Sequence, residues 1–298
     1  MNFITDDLVL PFAIGEARLR GQLVRVGPLL DRILGQHAYP EPVARMLGQA
    51  IVLAAALARA LKYDGIFTLQ TKGDGPVRLL VADVTALGEM RAYAQFDAER
   101  LARATPALGP VPSLLGAGYL AFTVDQGEDT ERYQGLVELV GSTLTDCAHH
   151  YFRQSEQVEA GLKLAVARGA DGHWRGGALM IERLPDPTAT REDDDEMWRN
   201  AVVLMSSCDD SELTDAALAP DKLLYRLFHE PGVRVQKPRE LAARCRCSRE
   251  RVERVLRSLQ RPALDEMVVD GHISVTCEFC NATYEFDEAA RRALAESG

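Results

Sequence analysis

Two cysteine pairs constrain this chain more than any other feature: Cys245-Arg246-Cys247 and Cys277-Glu278-Phe279-Cys280, separated by 29 residues. Zinc takes four tetrahedral ligands, and two short pairs brought together by a small fold deliver four thiolates with no open position, the pattern of a structural site. The flanking residues predict such a fold. Ile273 and Val275 alternate before Cys277, and Tyr284 and Phe286 alternate after Cys280, so the second pair belongs at the tip of a hairpin. Val252, Val255, Leu256 and Leu259 predict one apolar face on a helix that begins just past Cys247. One zinc ion held by Cys245, Cys247, Cys277 and Cys280 is therefore expected.

Six cysteines in 298 residues are too sparse for a disulfide-built secreted scaffold. The opening MNFITDDLVL carries two aspartates where a secretory leader carries positive charge, so a reducing, cytoplasmic location is expected. The longest apolar stretch, Ile51 to Leu61, is interrupted by Arg59 and is too short to span a bilayer. It predicts a core helix and no membrane attachment.

The rest of the chain reads as α+β. Residues 1–186 predict a large domain of antiparallel sheet plus helix. Ala17, Leu19, Gly21 and Leu23 alternate as a strand, Pro42 to Leu61 is helix-forming, and Ile66 to Gln70, Val77 to Ala82 and Met90 to Ala94 read as a meander punctuated by the Gly73-Asp74-Gly75-Pro76 turn. Leu144, Cys147, Ala148 and Tyr151 share one helical face, and Leu162 to Ala167 and Ala178 to Glu182 form a second hairpin turning at Ala170, Asp171 and Gly172. Pro185, Asp186 and Pro187 end that domain. Residues 187–233 predict a helical linker. The acidic run Glu192 to Glu196 suits the amino end of a helix through Met197, Trp198, Val202 and Met205, and Leu223, Leu224, Leu227 and Phe228 give the next apolar stripe. Residues 234–298 form the zinc-binding module.

Charge separates the regions. The net charge is −10, yet Arg234 to Arg261 carries ten Lys or Arg against three Glu. Arg244, Arg246, Arg249 and Arg251 ring the first cysteine pair, and nearby cations favour the thiolate, the form that peroxide attacks. The same arginines also offset the double negative charge of a four-thiolate zinc centre. Structural zinc contributes on the order of 10 kcal/mol to the folding of small modules. Oxidation that removes the thiolates should therefore release zinc and unfold the module, leaving linker helices without a partner.

The chain resembles a known family, the bacterial redox-regulated heat-shock protein 33 chaperones, nearly end to end. The resemblance is carried by CRCSRER from Cys245 and CEFCNATYEF from Cys277, together with QTKGDGPVRLL from Gln70, ERYQGLVEL from Glu131, YFRQSEQ from Tyr151, GGALMIERLP from Gly176 and LLYRLFHE from Leu223. It implies an ATP-independent holdase, silent when reduced and zinc-bound, and active after Cys245 pairs with Cys247 and Cys277 with Cys280 as zinc leaves. It further implies unfolding client proteins as partners and a homodimer on oxidation. Cys147 lies outside that switch, and Cys208 has no position in the family pattern.

Other signals are weaker. Cys147, His149 and His150 lack a fourth ligand, and adjacent helical residues point about 100° apart, so core packing is expected there. The Gly73-Asp74-Gly75 turn lacks the phosphate-loop pattern and a following helix. No catalytic residues are expected and the protein is not expected to be an enzyme. The alternative function is a zinc-stabilised helix-turn-helix nucleic-acid binder, with helices on either side of a turn at Arg246 to Ser248 within Pro238 to Leu259. The overall acidity, and a turn made of inward-held metal ligands, argue against nucleic acid.

Overall fold

Leu8, Leu10, Phe12 and Ile14 alternate with Val9, Pro11 and Ala13, so both faces of this strand are apolar and neither can be left to water. The computed structural model, which describes residues 6–15, 18–58, 65–104, 109–126, 132–156, 159–184 and 191–296, covers both faces. Strand β1 (Leu8–Ile14) forms a hairpin with β2 (Leu19–Val26), and β2 continues antiparallel into β9 (Trp174–Arg183), itself paired with β8 (Ala160–Arg168).

On one face of this first sheet lies α2 (Glu41–Leu57), preceded by the short α1 (Pro28–Leu34). Helix α2 is buried nearly all round, as its Ala-rich sequence allows, because a second sheet covers its other side. That sheet contains β3 (Ile66–Gly73), β4 (Val77–Thr85), β5 (Glu89–Phe96), β6 (Gly118–Asp125) and β7 (Tyr133–Glu138), antiparallel in the order β5-β4-β3-β6-β7. The expected meander is β3-β4-β5. Helix α3 (Ala98–Ala102) follows it, and α4 (Leu144–Tyr151) places Leu144, Cys147, Ala148 and Tyr151 in the core as predicted. The fold class is α+β. Ala17, Arg59, Leu61 and the Pro185–Pro187 segment lie outside the described residues.

The opposite face of the first sheet is covered by the expected linker. Helices α5 (Arg191–Ser206), α6 (Asp210–Thr214) and α7 (Pro220–Phe228) bury Met205, Cys208, Leu213, Leu223, Leu224, Leu227 and Phe228 against Leu8, Leu10, Phe12, Ile14, Leu19, Leu23, Leu179 and Ile181. Phe12 and Phe228 stack with ring centroids 5.8 Å apart. The acidic run is in the first turns of α5, where Asp194 and Asp195 reach Arg183 at 3.5 and 2.7 Å. The apolar faces of the linker thus pack on the sheet of the large domain.

The chain divides into two compact units after Ala243, ten residues beyond the expected boundary. Residues 234–243 belong to the first unit because they are edge strands of its sheets. Strands β10 (Val233–Val235) and β11 (Arg239–Glu240) pair antiparallel with β1, and β12 (Ala242–Ala243) pairs parallel with β5. The first helix of the helix-turn-helix alternative is therefore absent: Arg239–Ala243 is extended, edge pairing having overridden the helix propensity of Leu241, Ala242 and Ala243. Among the described residues no helix is long and apolar enough to cross a membrane.

The second unit contains α8 (Arg249–Arg257), α9 (Arg261–Glu266), a three-stranded sheet of β13 (Val268–Val269), β14 (His272–Thr276) and β15 (Thr283–Phe286), and α10 (Glu288–Glu296). Among the described residues its fully buried apolar side chains are Leu256, Ile273 and Phe286. The helix after Cys247 forms as predicted, but only part of its expected stripe is covered. Val252 is half-buried, whereas Val255 is 61% and Leu259 38% exposed, because a core this small spans little of a nine-residue helix.

Candidate metal centre

Each cysteine pair is held by a local backbone motif. Cys245 and Cys247 lie in the segment before α8, whose start is fixed by Ser248, the Oγ of which accepts the Arg251 N–H at 3.3 Å. Cys277 and Cys280 occupy the turn between β14 and β15. There the Cys277 N–H donates to the Ala282 carbonyl at 2.9 Å and the Asn281 N–H to the Cys277 carbonyl at 2.8 Å. Asn281 closes the turn at φ +58, a left-handed conformation that asparagine tolerates well.

The two motifs bring all four Sγ atoms within 4.8 Å of one another, the only such group of potential metal ligands among the described residues. The Sγ atoms of Cys245 and Cys277 are 3.8 Å apart, and those of Cys247 and Cys280 are 3.3 Å apart. A tetrahedron with zinc–sulfur bonds of about 2.3 Å has edges of about 3.8 Å, so the donor set fits a four-thiolate zinc site in chemistry and size. All six cysteines of the chain are free thiols. The short separations run between the two pairs, joining Cys245 to Cys277 and Cys247 to Cys280.

The thiols are half-buried, which opposes ionisation, yet hydrogen bonds from the Cys247 backbone and the other three thiols bring Cys245 down to about 7. Burial pushes Cys277 and Cys280 up, and their thiol neighbours add to the effect at Cys280. The cluster thus gives up its first proton readily and its later ones reluctantly, unless a cation compensates.

Two of the arginines expected to favour the thiolate, Arg249 and Arg251, have partners away from the sulfurs. Arg249 stacks over the Phe286 ring, 4.4 Å from its centroid, and donates to the Glu285 carbonyl at 2.9 Å; Arg251 donates to the Arg246 carbonyl at 2.5 Å. Tyr284 is a partner that sequence reasoning missed. Its Oη donates to Cys247 Sγ at 3.2 Å, and its place in the Tyr284/Phe286 alternation was the only available signal.

Cys147 and Cys208 are fully buried in separate clusters of the first unit, and burial pushes each thiol up to about 11. Cys147 donates to the Val140 carbonyl at 3.4 Å, while the neighbouring His149 and His150 are only half-buried, so this trio forms no metal site.

Comparison with known proteins gives a consistent picture. A family model described as "Hsp33 protein" matches residues 7–287. The 33 kDa chaperonin of Caulobacter vibrioides is 40% identical over 290 residues, covering 95% of this chain and 96% of that protein. The 33 kDa chaperonin of Pseudomonas fluorescens strain SBW25 is 36% identical over 288 residues, covering 95% and 91%. The crystal structure of the 33 kDa chaperonin from Thermotoga maritima shares the fold, with a TM-score of 0.80 at 23% identity over 98% of each chain. With its family model spanning the fold and the cysteine cluster alike, this chain belongs to the Hsp33 protein family.

Proposed function

We propose that this chaperone is an ATP-independent holdase of the cytoplasm, controlled by a thiol switch at Cys245, Cys247, Cys277 and Cys280. The observation that carries the reading is the disproportion in the second unit: four converging thiols accompany an apolar core that has, among the described residues, three fully buried side chains. A core of that size cannot hold a fold without a staple. Bound zinc would supply the missing cross-link.

Oxidation of Cys245 with Cys247, and of Cys277 with Cys280, removes the ligand set. Each disulfide takes two electrons from two thiolates and passes them to one peroxide, which leaves as water. Without its ligands joined, the second unit retains too little buried surface to stay folded. The linker helices α5 to α7 cover one apolar face of the first sheet, and their release would present that face to unfolding client proteins. Dimerisation of the oxidised form belongs to the same reading, as does the absence of an enzymatic reaction.

The test is to follow zinc with a chromogenic chelator while peroxide is added, and to measure suppression of client aggregation by light scattering on the same samples. Zinc release and holdase activity are expected to rise together. Equal activity before and after zinc loss refutes control by this module.

A further inference from the structure

Residues 233–243 leave the linker and reach the last position of the first unit, two residues before Cys245, as an extended strap along two sheets. On β1 the strap sets Val233, Arg234 and Val235 opposite Ile14, Ala13 and Phe12, and Arg239 and Glu240 opposite Val9 and Leu8. The Gln236 N–H donates to the Pro11 carbonyl at 2.8 Å and the Leu241 N–H to the Asp7 carbonyl at 2.7 Å. The strap then crosses to the second sheet, where Ala242 and Ala243 lie parallel to Glu89 and Met90 and the Ala242 N–H donates to the Gly88 carbonyl at 3.0 Å. Gly88 has φ +81, and a Cβ there would come within 2.2 Å of the Glu240 carbonyl oxygen, so this corner is built to let a foreign backbone pass.

Side chains contribute little to this attachment. Every residue from Arg234 to Glu240 is exposed; Leu241 is buried in the core, and Val233 and Ala243 at the two ends are half-buried against it. Main-chain hydrogen bonds hold the strap, and such bonds are indifferent to sequence. A segment with so little apolar burial opens at low cost once its ends are free. Its removal would leave β1 and β5, strands at the rim of a well-packed core, with a row of unsatisfied donors and acceptors that templates pairing with another chain.

We propose that Val233–Ala243 is a built-in stand-in for a client, and that the β1 and β5 edges it occupies take up an extended segment of an unfolding polypeptide once it is released. The proposal rests on the holdase reading and specifies how such a protein would bind: by strand addition through the main chain. The strap itself shows what these edges accept, a backbone in extended conformation whose side chains from Arg234 to Glu240 are exposed. The lysine and arginines of the strap, and Pro238 with its missing donor, keep the closed edge from pairing further.

The probe is a fluorescently labelled synthetic copy of residues 232–243, tested against the full chain in reduced, zinc-loaded and in oxidised form. A second peptide of identical side chains carries N-methyl groups at the positions of Gln236, Leu241 and Ala242, which removes the donors. Anisotropy should show binding of the first peptide to the oxidised chain, at least about tenfold weaker binding of the methylated one, and no binding of either to the reduced chain. In the full-length Gln236→Pro and Ala242→Pro variants, both at exposed positions, the reduced protein should bind the unmethylated peptide while its circular dichroism and zinc content match the parent.

Equal affinity for the two peptides overturns strand addition in favour of side-chain binding on the apolar face under α5 to α7. Failure of a peroxide-activated, aggregation-suppressing sample to bind the unmethylated peptide also overturns it. If peroxide leaves aggregation suppression unchanged, the holdase switch fails instead, and the proline variants still report on the edges directly.

Discussion

The guanidinium of Arg25, on β2, donates to the main-chain carbonyl of Glu212 at 2.8 Å, tying the central sheet to the linker across 187 positions of sequence. It also donates to the carbonyls of Asp215 and, at 3.2 Å, Leu218, so one fork holds the whole turn between α6 and α7. Arg25 is 1% exposed. Burial pulls its pKa down, and Asp6 and Asp215 partly restore it.

Replacing Arg25 with methionine keeps the volume and removes every donor, leaving three part-buried carbonyls without this partner. The cost is expected at about 2–4 kcal/mol. Urea unfolding should register this loss, and limited proteolysis of the reduced protein should cut first within residues 209–219. Lysine, a point donor without the planar fork, should rescue only part of the loss. A variant with parental stability and protease resistance would show that the fork is dispensable.

Phe228→Ala should loosen the same interface from the apolar side. The ring is fully buried and stacked on Phe12, and truncating such a side chain costs roughly 3–5 kcal/mol. Since the cavity would open between α7 and the sheet, docked linker should be lost before the core around α2. Hydrogen exchange is expected to accelerate in α7 with α2 unchanged; uniform acceleration would mean the two clusters unfold as one.

Cys147 and Cys208 should be silent thiols. With folded values near 11 against an ordinary value of 9.0, each favours the folded state fully at pH below about 9. That contribution is lost as the pH climbs through about 11, where the folded thiols finally ionise. The fall in urea stability across this window should be shallower in the Cys147→Ala, Cys208→Ala double variant than in the parent. At pH 8 the native protein should leave both residues unalkylated by iodoacetamide for hours, and labelling within minutes would contradict their burial.

The sequence was most legible where chemistry is local. Two thiol pairs, one just before a helix and one at the tip of a hairpin, announced the cluster, because spacing alone sets how a few residues can converge. The stripe of Leu223, Leu224, Leu227 and Phe228 was legible for the same reason, since helical periodicity is short-range. Where it packs was not, because the partner strand β1 lies some two hundred positions away. Arg25 shares the face of Leu19, Gly21 and Leu23 on its strand, and nothing nearby in sequence announces the linker carbonyls that take up its buried charge. The strap was not legible as strand: the nucleic-acid alternative placed a helix from Pro238, because Leu241-Ala242-Ala243 has helix propensity and its edge partners are remote.

Tyr284→Phe isolates one hydrogen bond at the cysteine cluster. Its Oη donates to Cys247 Sγ at 3.2 Å, a contact that stabilises the thiolate and orients it. Loss of such an outer-shell partner typically weakens a metal site by about 10–100-fold. Competition with a chelator should show this shift, together with faster zinc loss under peroxide, while the ring continues to pack beside Ile273 and Phe286. Unchanged zinc affinity would assign Tyr284 to packing alone.

Chelation should separate the two units. The first has two extensive apolar clusters around its sheets, whereas the second, among the described residues, completely buries Leu256, Ile273 and Phe286. Burial of that extent stabilises by only a few kcal/mol, at about 25 cal/mol per Å² of apolar surface, and cannot offset the conformational entropy of the residues from Arg244 onward. Treating the reduced protein with a strong chelator should therefore collapse amide protection in α8 and β14–β15 and leave α2 and β3–β6 protected. Re-addition of zinc under reducing conditions should restore protection, because the four thiols remain free to converge. Retention of protection in β14 and β15 after complete metal removal would mean that the side chains alone hold the module, and that the cysteines serve another purpose than its architecture.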